Sequence, residues 1–484
     1  MTATPTMNWI GGEFVGSQTV ESSFNPANGD LLGTFCAGGI EDAQQAIATA
    51  KKSFENTAWR FDRRLRAKVL SEIADAIEAN AQALTELLIK ENGKPAGEAG
   101  FEVSMCAPKL RYWAAQVMTN FGRSLAPEEG RLAVVTREAI GPVGIIVPWN
   151  SPIILLVRSL APALAAGCTT VVKMPGQTGL VNGLLMRVLA QVASLPKGVV
   201  NIFTETGDEG AREIVRSPDT PAISYTGSTH VGRLIAKSAA ENLKRLNLEL
   251  GGKSPMIVFG DANLDIVSAV LEKGVTLFGG QFCMAGSRIL AHKSIAPKLR
   301  KLLQERLEAV KCGPGWEQGS DMGPMIDRTN VERVDSEVEK AIAAGARAVV
   351  RGGPITSGPL AEGAYYRPTL LEVDSCNLDI VRKETFGPVA TLETFESEEE
   401  AVALANSGEF GLAASVWSQD VNLPWRISQY LRAGTVWINE WAVVFDECEE
   451  GGFKQSGIGR LNGLAALDAF TEYKLVSLHM GKAS

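Results

Sequence analysis

Apolar residues recur at helical spacing over residues 41–56 and 62–90, where Leu65, Val69, Ile73 and Ile77 share one face and charges take the other. Beyond that region the period changes. Short apolar runs at 143–147, 169–172, 199–203 and 222–225 read as strands, with helical patterns between them near 155–166, 180–194 and 209–215. A second series starts at 255–259 and continues through a helix over 296–310 and strands at 348–350 and 435–439. Strands alternating with helices predict parallel sheets covered by helices on both faces. Residues 132–138 alternate like a strand but fall between a helix and the first sheet. With a C-terminal strand over 474–479, they are expected to form an excursion that pairs with another subunit. No internal repeat or low-complexity segment interrupts the pattern.

Length turns this pattern into two units. The chain has 484 residues, and single hydrophobic cores stop growing at about 250–300 residues. Hydrophobic residues at 45% and charged residues at 21% are those of an ordinary globular protein rather than a disordered one. A net charge of −8 argues against nucleic acid as a partner, because such a partner needs a basic face. No apolar run approaches the ~18–20 residues of a membrane span. Residues 1–9 lack a basic stretch followed by an apolar one, so a cytoplasmic location is expected. The 7 cysteines are scattered and never spaced C-x-x-C, which fits reduced thiols and predicts neither a disulfide framework nor a metal site. With only 3 histidines, a catalytic base is expected to be a carboxylate.

Several glycine patterns attract attention and most fail. Gly457-Ile458-Gly459-Arg460-Leu461-Asn462-Gly463 has the wrong spacing for a dinucleotide loop, and no βαβ unit follows it. Gly252-Lys253-Ser254 resembles the end of a P-loop, but Asn247 stands where the leading glycine belongs. Tyr225-Thr226-Gly227-Ser228 differs, since a strand there ends in a Gly-Ser turn that opens a helix. Free N–H groups at such a helix start suit a pyrophosphate. A Ser cap serving stability alone reads the same way.

Four segments in fixed order carry the chemistry: Pro148-Trp149-Asn150-Ser151-Pro152, Val172-Lys173-Met174-Pro175, Leu248-Glu249-Leu250-Gly251-Gly252-Lys253, and Gly280-Gln281-Phe282-Cys283-Met284-Ala285-Gly286. With Trp9-Ile10-Gly11-Gly12, Glu384-Thr385-Phe386-Gly387-Pro388 and Gly451-Gly452-Phe453-Lys454, nearly the whole chain resembles the aldehyde dehydrogenase superfamily. The resemblance implies an α/β fold of two Rossmann-like doubly wound domains plus a small β excursion for oligomerisation. It implies a dinucleotide-binding domain over 1–122 and 140–249, a catalytic domain over 250–456, and subunit contacts from 123–139 and 457–484. A homodimer or homotetramer is then expected.

The residues suit that chemistry. An aldehyde gives up hydride only after a nucleophile has made its carbonyl carbon tetrahedral, and a cysteine thiolate does this and leaves a thioester. Cys283 stands in a turn of small residues, whereas the other six cysteines read as small buried hydrophobes. The Asn150 amide and the Cys283 N–H are the expected oxyanion donors. On its own, Asn150 would read as a turn residue. Glu249, between two leucines, is the expected base for the hydrolytic water; its bland alternative is a strand-edge carboxylate paired with Lys253. The resemblance assigns Ile146, Trp149, Lys173, Gly207, Gly227, Ser228, Leu250, Glu384 and Phe386 to the dinucleotide. Lys173 and Glu384 would bond its riboses, Gly227 and Ser228 its pyrophosphate, and Phe386 would pack near the nicotinamide ribose.

Three positions depart from the family pattern. Gly176 replaces a glutamate that many NAD-preferring members carry, so the lean is to NAD while NADP stays open. Glu450 replaces an aromatic residue at the substrate mouth; with Glu440, Asp446 and Glu447 it would attract a cationic aldehyde or, as the favoured reading, form a solvated acidic loop. Arg158 replaces a tunnel tryptophan and would take an anionic substrate or pair with Glu450. These hints oppose each other and name no substrate. Two competing functions are an acylating enzyme that passes the thioester to coenzyme A and a non-catalytic protein on the same scaffold. Glu249 speaks against the first, and the presence of Cys283, Asn150 and Glu249 against the second.

Overall fold

Strand Pro142–Ile146 is buried at every residue and lies inside an eight-stranded sheet. Such full burial suits a strand with neighbours on both edges and helices on both faces. In the computed structural model, which describes residues 4–119 and 122–481, parallel strands flank it on either side. Thr169–Pro175 and then Val200–Glu205 lie to one side; Ala222–Thr226 and then Arg245–Glu249 lie to the other. The chain order therefore reverses beside Pro142–Ile146, and in open parallel sheets ligands bind at the carboxyl ends of the strands at such a point. The outermost residues of the expected segments, 1–3, 120–121 and 482–484, lie outside the described residues.

The expected helix over 62–90 is two helices, Arg63–Ala79 and Ala81–Glu91. Asp62 caps the first by accepting the Leu65 N–H at 2.9 Å. Asn80 ends it, because its side-chain amide donates to the Ala76 carbonyl at 2.8 Å and competes with the helical ladder. Helix Pro152–Ala166 starts with proline in its first turn and stops at Gly167, whose φ of 98° is the left-handed conformation glycine adopts readily.

The second sheet has seven strands, in the order Arg347–Val350, Thr369–Glu372, Val389–Phe395, Arg288–His292, Pro255–Val258, Ala413–Trp417, Thr435–Ile438. All neighbours run parallel except the first pair. A third sheet joins Arg131–Ala139 to the chain's own C-terminal strand, Thr471–His479, and to Arg123–Leu125. The excursion and the C-terminal strand thus pair with each other within the chain. Gly457–Ile458, at the start of the segment expected to make subunit contacts, is an edge strand of the first sheet, beside Leu248 and Glu249. Among the described residues no helix is long and apolar enough to cross a membrane.

Candidate active site

Strand Arg245–Glu249 delivers Glu249 at its carboxyl end, and a tight turn then leads into the second sheet. Two glycines make that turn fit. A Cβ on Gly251 would stand 2.3 Å from Glu384 Oε2, and one on Gly252 would stand 2.7 Å from the Cys283 carbonyl oxygen. Glu249 therefore sits on a backbone pressed against the Cys283 loop. Asn150, in the loop after Pro142–Ile146, donates from Nδ2 to the Gln281 carbonyl at 3.0 Å, two residues before Cys283. Residues 150, 249 and 283 come from two loops and a strand end and converge on one place.

A buried scaffold that the sequence reading missed holds these loops. Glu102 accepts the Ile153 N–H at 2.9 Å and pairs with Lys94, which also donates to Ser151 Oγ at 3.0 Å. Asn92 donates to the Trp149 carbonyl at 2.8 Å, and Glu98 accepts the Phe278 N–H at 3.1 Å. The Lys94 ammonium also lies 4.0 Å from the Phe278 ring centroid. One short region thus ties the Asn150 loop to the segment leading into Cys283. The turn-like run Asn92-Gly93-Lys94-Pro95 was the signal that could have pointed to it.

Burial dominates the electrostatics. Glu249 is 3% exposed, and its Oε1 has no hydrogen-bond partner among the described residues. Desolvation raises its pKa, and nearby Arg158 opposes the rise. Lys253 is not its partner, since that ammonium donates to Thr385 Oγ1 at 3.2 Å. Burial pushes the Cys283 thiol up to about 12, again opposed first by Arg158. Of the other cysteines, Cys36, Cys106 and Cys168 are buried, whereas Cys448 is exposed and does not pack as a hydrophobe.

The acidic stretch near residue 450 is not a solvated loop at Glu450 itself. Glu450 is 6% exposed, and its Oε1 accepts from Arg158 Nη1 at 2.7 Å. The pairing alternative holds for both residues, because a buried carboxylate needs a partner and the guanidinium supplies it.

The residues expected to hold a dinucleotide gather at the strand ends and the turns that follow them. Lys173 lies in Thr169–Pro175, burial lowers its pKa, and its ammonium makes no hydrogen bond or ion pair among the described residues. A Cβ on Gly207 would meet nothing within 4 Å, so this loop borders open space. A Cβ on Gly227 would stand 2.2 Å from Tyr225 Oη, so the tyrosine ring would have to shift to admit one. Ser228 caps helix Thr229–Ala239 by accepting the Val231 N–H at 3.3 Å. Ile146 and Leu250 pack in one buried cluster beneath these loops.

From the second sheet's side, Glu384 accepts the Gly252 N–H at 3.1 Å, and burial pushes its carboxyl up to about 7. Phe386 meets Trp149 edge to face with centroids 5.6 Å apart. Its backbone is left-handed at φ 50°, and Arg333, which the sequence reading missed, donates to the Thr385 carbonyl at 2.8 Å and the Phe386 carbonyl at 3.4 Å.

Comparison with known proteins agrees with this geometry. The aldehyde dehydrogenase family matches residues 14–476. A betaine aldehyde dehydrogenase of Bacillus subtilis is 36% identical over 472 residues, covering 97% of this chain and 96% of its own. Aldehyde dehydrogenase 1 of Tanacetum cinerariifolium is 36% identical over 475 residues, covering 97% and 94%. The crystal structure of betaine aldehyde dehydrogenase from Staphylococcus aureus in complex with NAD+ matches with a TM-score of 0.96 at 33% identity, over 100% of this chain and 96% of that one.

Proposed function

Because this chain belongs to the aldehyde dehydrogenase family, we propose that it oxidises an aldehyde to a carboxylic acid through a thioester on Cys283. The observation that carries this reading is the convergence of Asn150, Glu249 and Cys283 from two loops and a strand end. The Cys283 thiol gives up its proton to solvent, and the resulting thiolate sulfur adds to the carbonyl carbon. The Asn150 amide and the Cys283 N–H donate to the resulting oxyanion. When bound, the nicotinamide dinucleotide accepts the hydride that leaves this carbon. The carbonyl then re-forms as a thioester. Glu249 takes a proton from water, which adds to the thioester carbon, and the C–S bond breaks to release the acid and restore the thiolate. A buried carboxylate with a free oxygen favours hydrolysis over transfer to coenzyme A.

NAD is the proposed cofactor, supported by Lys173, whose ammonium makes no hydrogen bond or ion pair among the described residues, by the open loop at Gly207 and by the NAD+ complex of the Staphylococcus aureus relative. Ile146, Trp149, Gly227, Ser228, Leu250, Glu384 and Phe386 complete its site. NADP is the alternative cofactor, because Gly176 carries no carboxylate to repel a 2′-phosphate. Residues 1–122 and 140–249 form the dinucleotide-binding domain and 250–456 the catalytic domain. The exposed apolar residues Leu475, Val476 and Leu478 of the C-terminal strand suit a homodimer or homotetramer contact, as does the paired segment within 123–139. The enzyme is proposed to work in the cytoplasm. The test is Cys283→Ala, which should lose aldehyde oxidation while NAD+ binding, followed by protein fluorescence, persists. Normal turnover in that variant would overturn the proposal.

A further inference from the structure

Helix Pro152–Ala166 carries one charged residue, Arg158, and it is 5% exposed. Its Nη1 donates to Glu450 at 2.7 Å and its Nη2 to Thr226 Oγ1 at 3.1 Å, while Nε is buried without a partner among the described residues. Thr226 is the register partner of Glu249 in adjacent parallel strands, so both side chains leave the same face of the sheet. The guanidinium that bonds Thr226 therefore lies beside the base, whose Oε1 is likewise unpartnered. The clamp continues outward. Glu450 Oε2 accepts from Asn462 Nδ2 at 2.9 Å, Asn462 Oδ1 accepts from Lys109 at 2.7 Å, and Lys109 pairs with Asp446.

A buried ion pair is weak support for a fold, because well-packed apolar residues of similar volume serve stability as well or better. A buried charge beside reacting groups has its main effect on their protonation. We propose that Arg158, fixed by Glu450 and Thr226, is a positioning residue that stabilises negative charge on Cys283 and Glu249, with Glu450 limiting how much of its charge they feel. This rests on the reading of Cys283 as the nucleophile. The charged groups bearing on Cys283 are Arg158, Glu450, Glu384 and Glu249; those bearing on Glu249 are Arg158, Glu450 and Arg460. Arg158 is the cation common to both sets. It favours the ionised form of each group, and Glu450 opposes that form in each.

The test is the pH dependence of Cys283 alkylation by iodoacetamide in the full chain, read at the Cys283 peptide by mass spectrometry. Arg158→Met should raise the midpoint by about one pH unit, a tenfold slower labelling at fixed pH below the midpoint. Arg158→Lys should recover most of that shift. Glu450→Gln keeps the shape of the clamp but removes the opposing charge, so it should lower the midpoint. Movement of the Met and Gln variants in the same direction, or of neither, overturns the proposal, since general damage to packing would not separate their signs. If Arg158→Met does not fold, the direction of Glu450→Gln decides. Aldehyde oxidation that survives Cys283→Ala removes the proposed function itself. Midpoints indifferent to Arg158 and Glu450, in an enzyme that still requires Cys283, remove only this inference.

Discussion

The side-chain amide of Asn150 donates to the main-chain carbonyl of Gln281 at 3.0 Å, joining the loop after the central strand of the first sheet to the loop that carries Cys283. One amide hydrogen is used in that tie, and the other is left to donate to the proposed oxyanion. Gln281 is held in turn, since its Oε1 accepts the Ile326 N–H at 3.0 Å. Asn150→Ala should therefore lower kcat by roughly 10²–10³, the usual loss of one oxyanion donor. Steady-state kinetics with any accepted aldehyde checks this. A loss confined to KM would show that Asn150 only helps to bind.

Glu249 is asked to act after the thioester has formed. Glu249→Gln should give one burst of reduced cofactor per active site and then stall, and stopped-flow absorbance would show it. An unchanged steady rate would contradict the role.

The pH dependence of thioester breakdown follows from burial. A glutamate near its ordinary value of about 4.3 is fully ionised by about pH 6. Desolvation raises Glu249 above that range, so the rate of breakdown should keep climbing with pH beyond it, as the base loses its proton. A profile already flat there would mean that the carboxylate is not acting from this buried site.

Lys94 and Glu102 form a buried pair beside the loop of Asn150 and the segment leading into Cys283. Lys94→Met leaves the Glu102 charge uncompensated, which typically costs about 3–5 kcal/mol. The thermal unfolding midpoint should fall by several degrees, and a midpoint equal to that of the parent chain would contradict this account.

Gly176 stands where a Cβ would meet Thr206 Oγ1 at 2.2 Å and Thr206 Cα at 2.9 Å. Gly176→Glu, intended to restore the carboxylate that many NAD-preferring relatives carry, should destabilise the chain by about 1–3 kcal/mol through overpacking. It should not lower KM for NAD+. Tighter NAD+ use at unchanged stability would show that Thr206 moves aside freely.

What the sequence determined by itself was local. The alternation of strand and helix patterns predicted the parallel sheets, and the Gly251-Gly252 and Gly227-Ser228 turns were visible because backbone geometry demands those residue types. The motifs around Asn150, Glu249 and Cys283, each beside its own turn, carried the family resemblance and with it the expected chemistry. Tertiary structure decided the partnerships. Arg158 and Glu450, 292 residues apart, form a pair that either charge alone read wrongly or left open. Lys253 bonds Thr385 rather than Glu249, and Gly457–Ile458 closes the edge of the first sheet. Periodicity reports which face of an element is buried, but it carries no record of which distant element covers that face. In a low-dielectric interior that second fact settles which charges meet and what each can do.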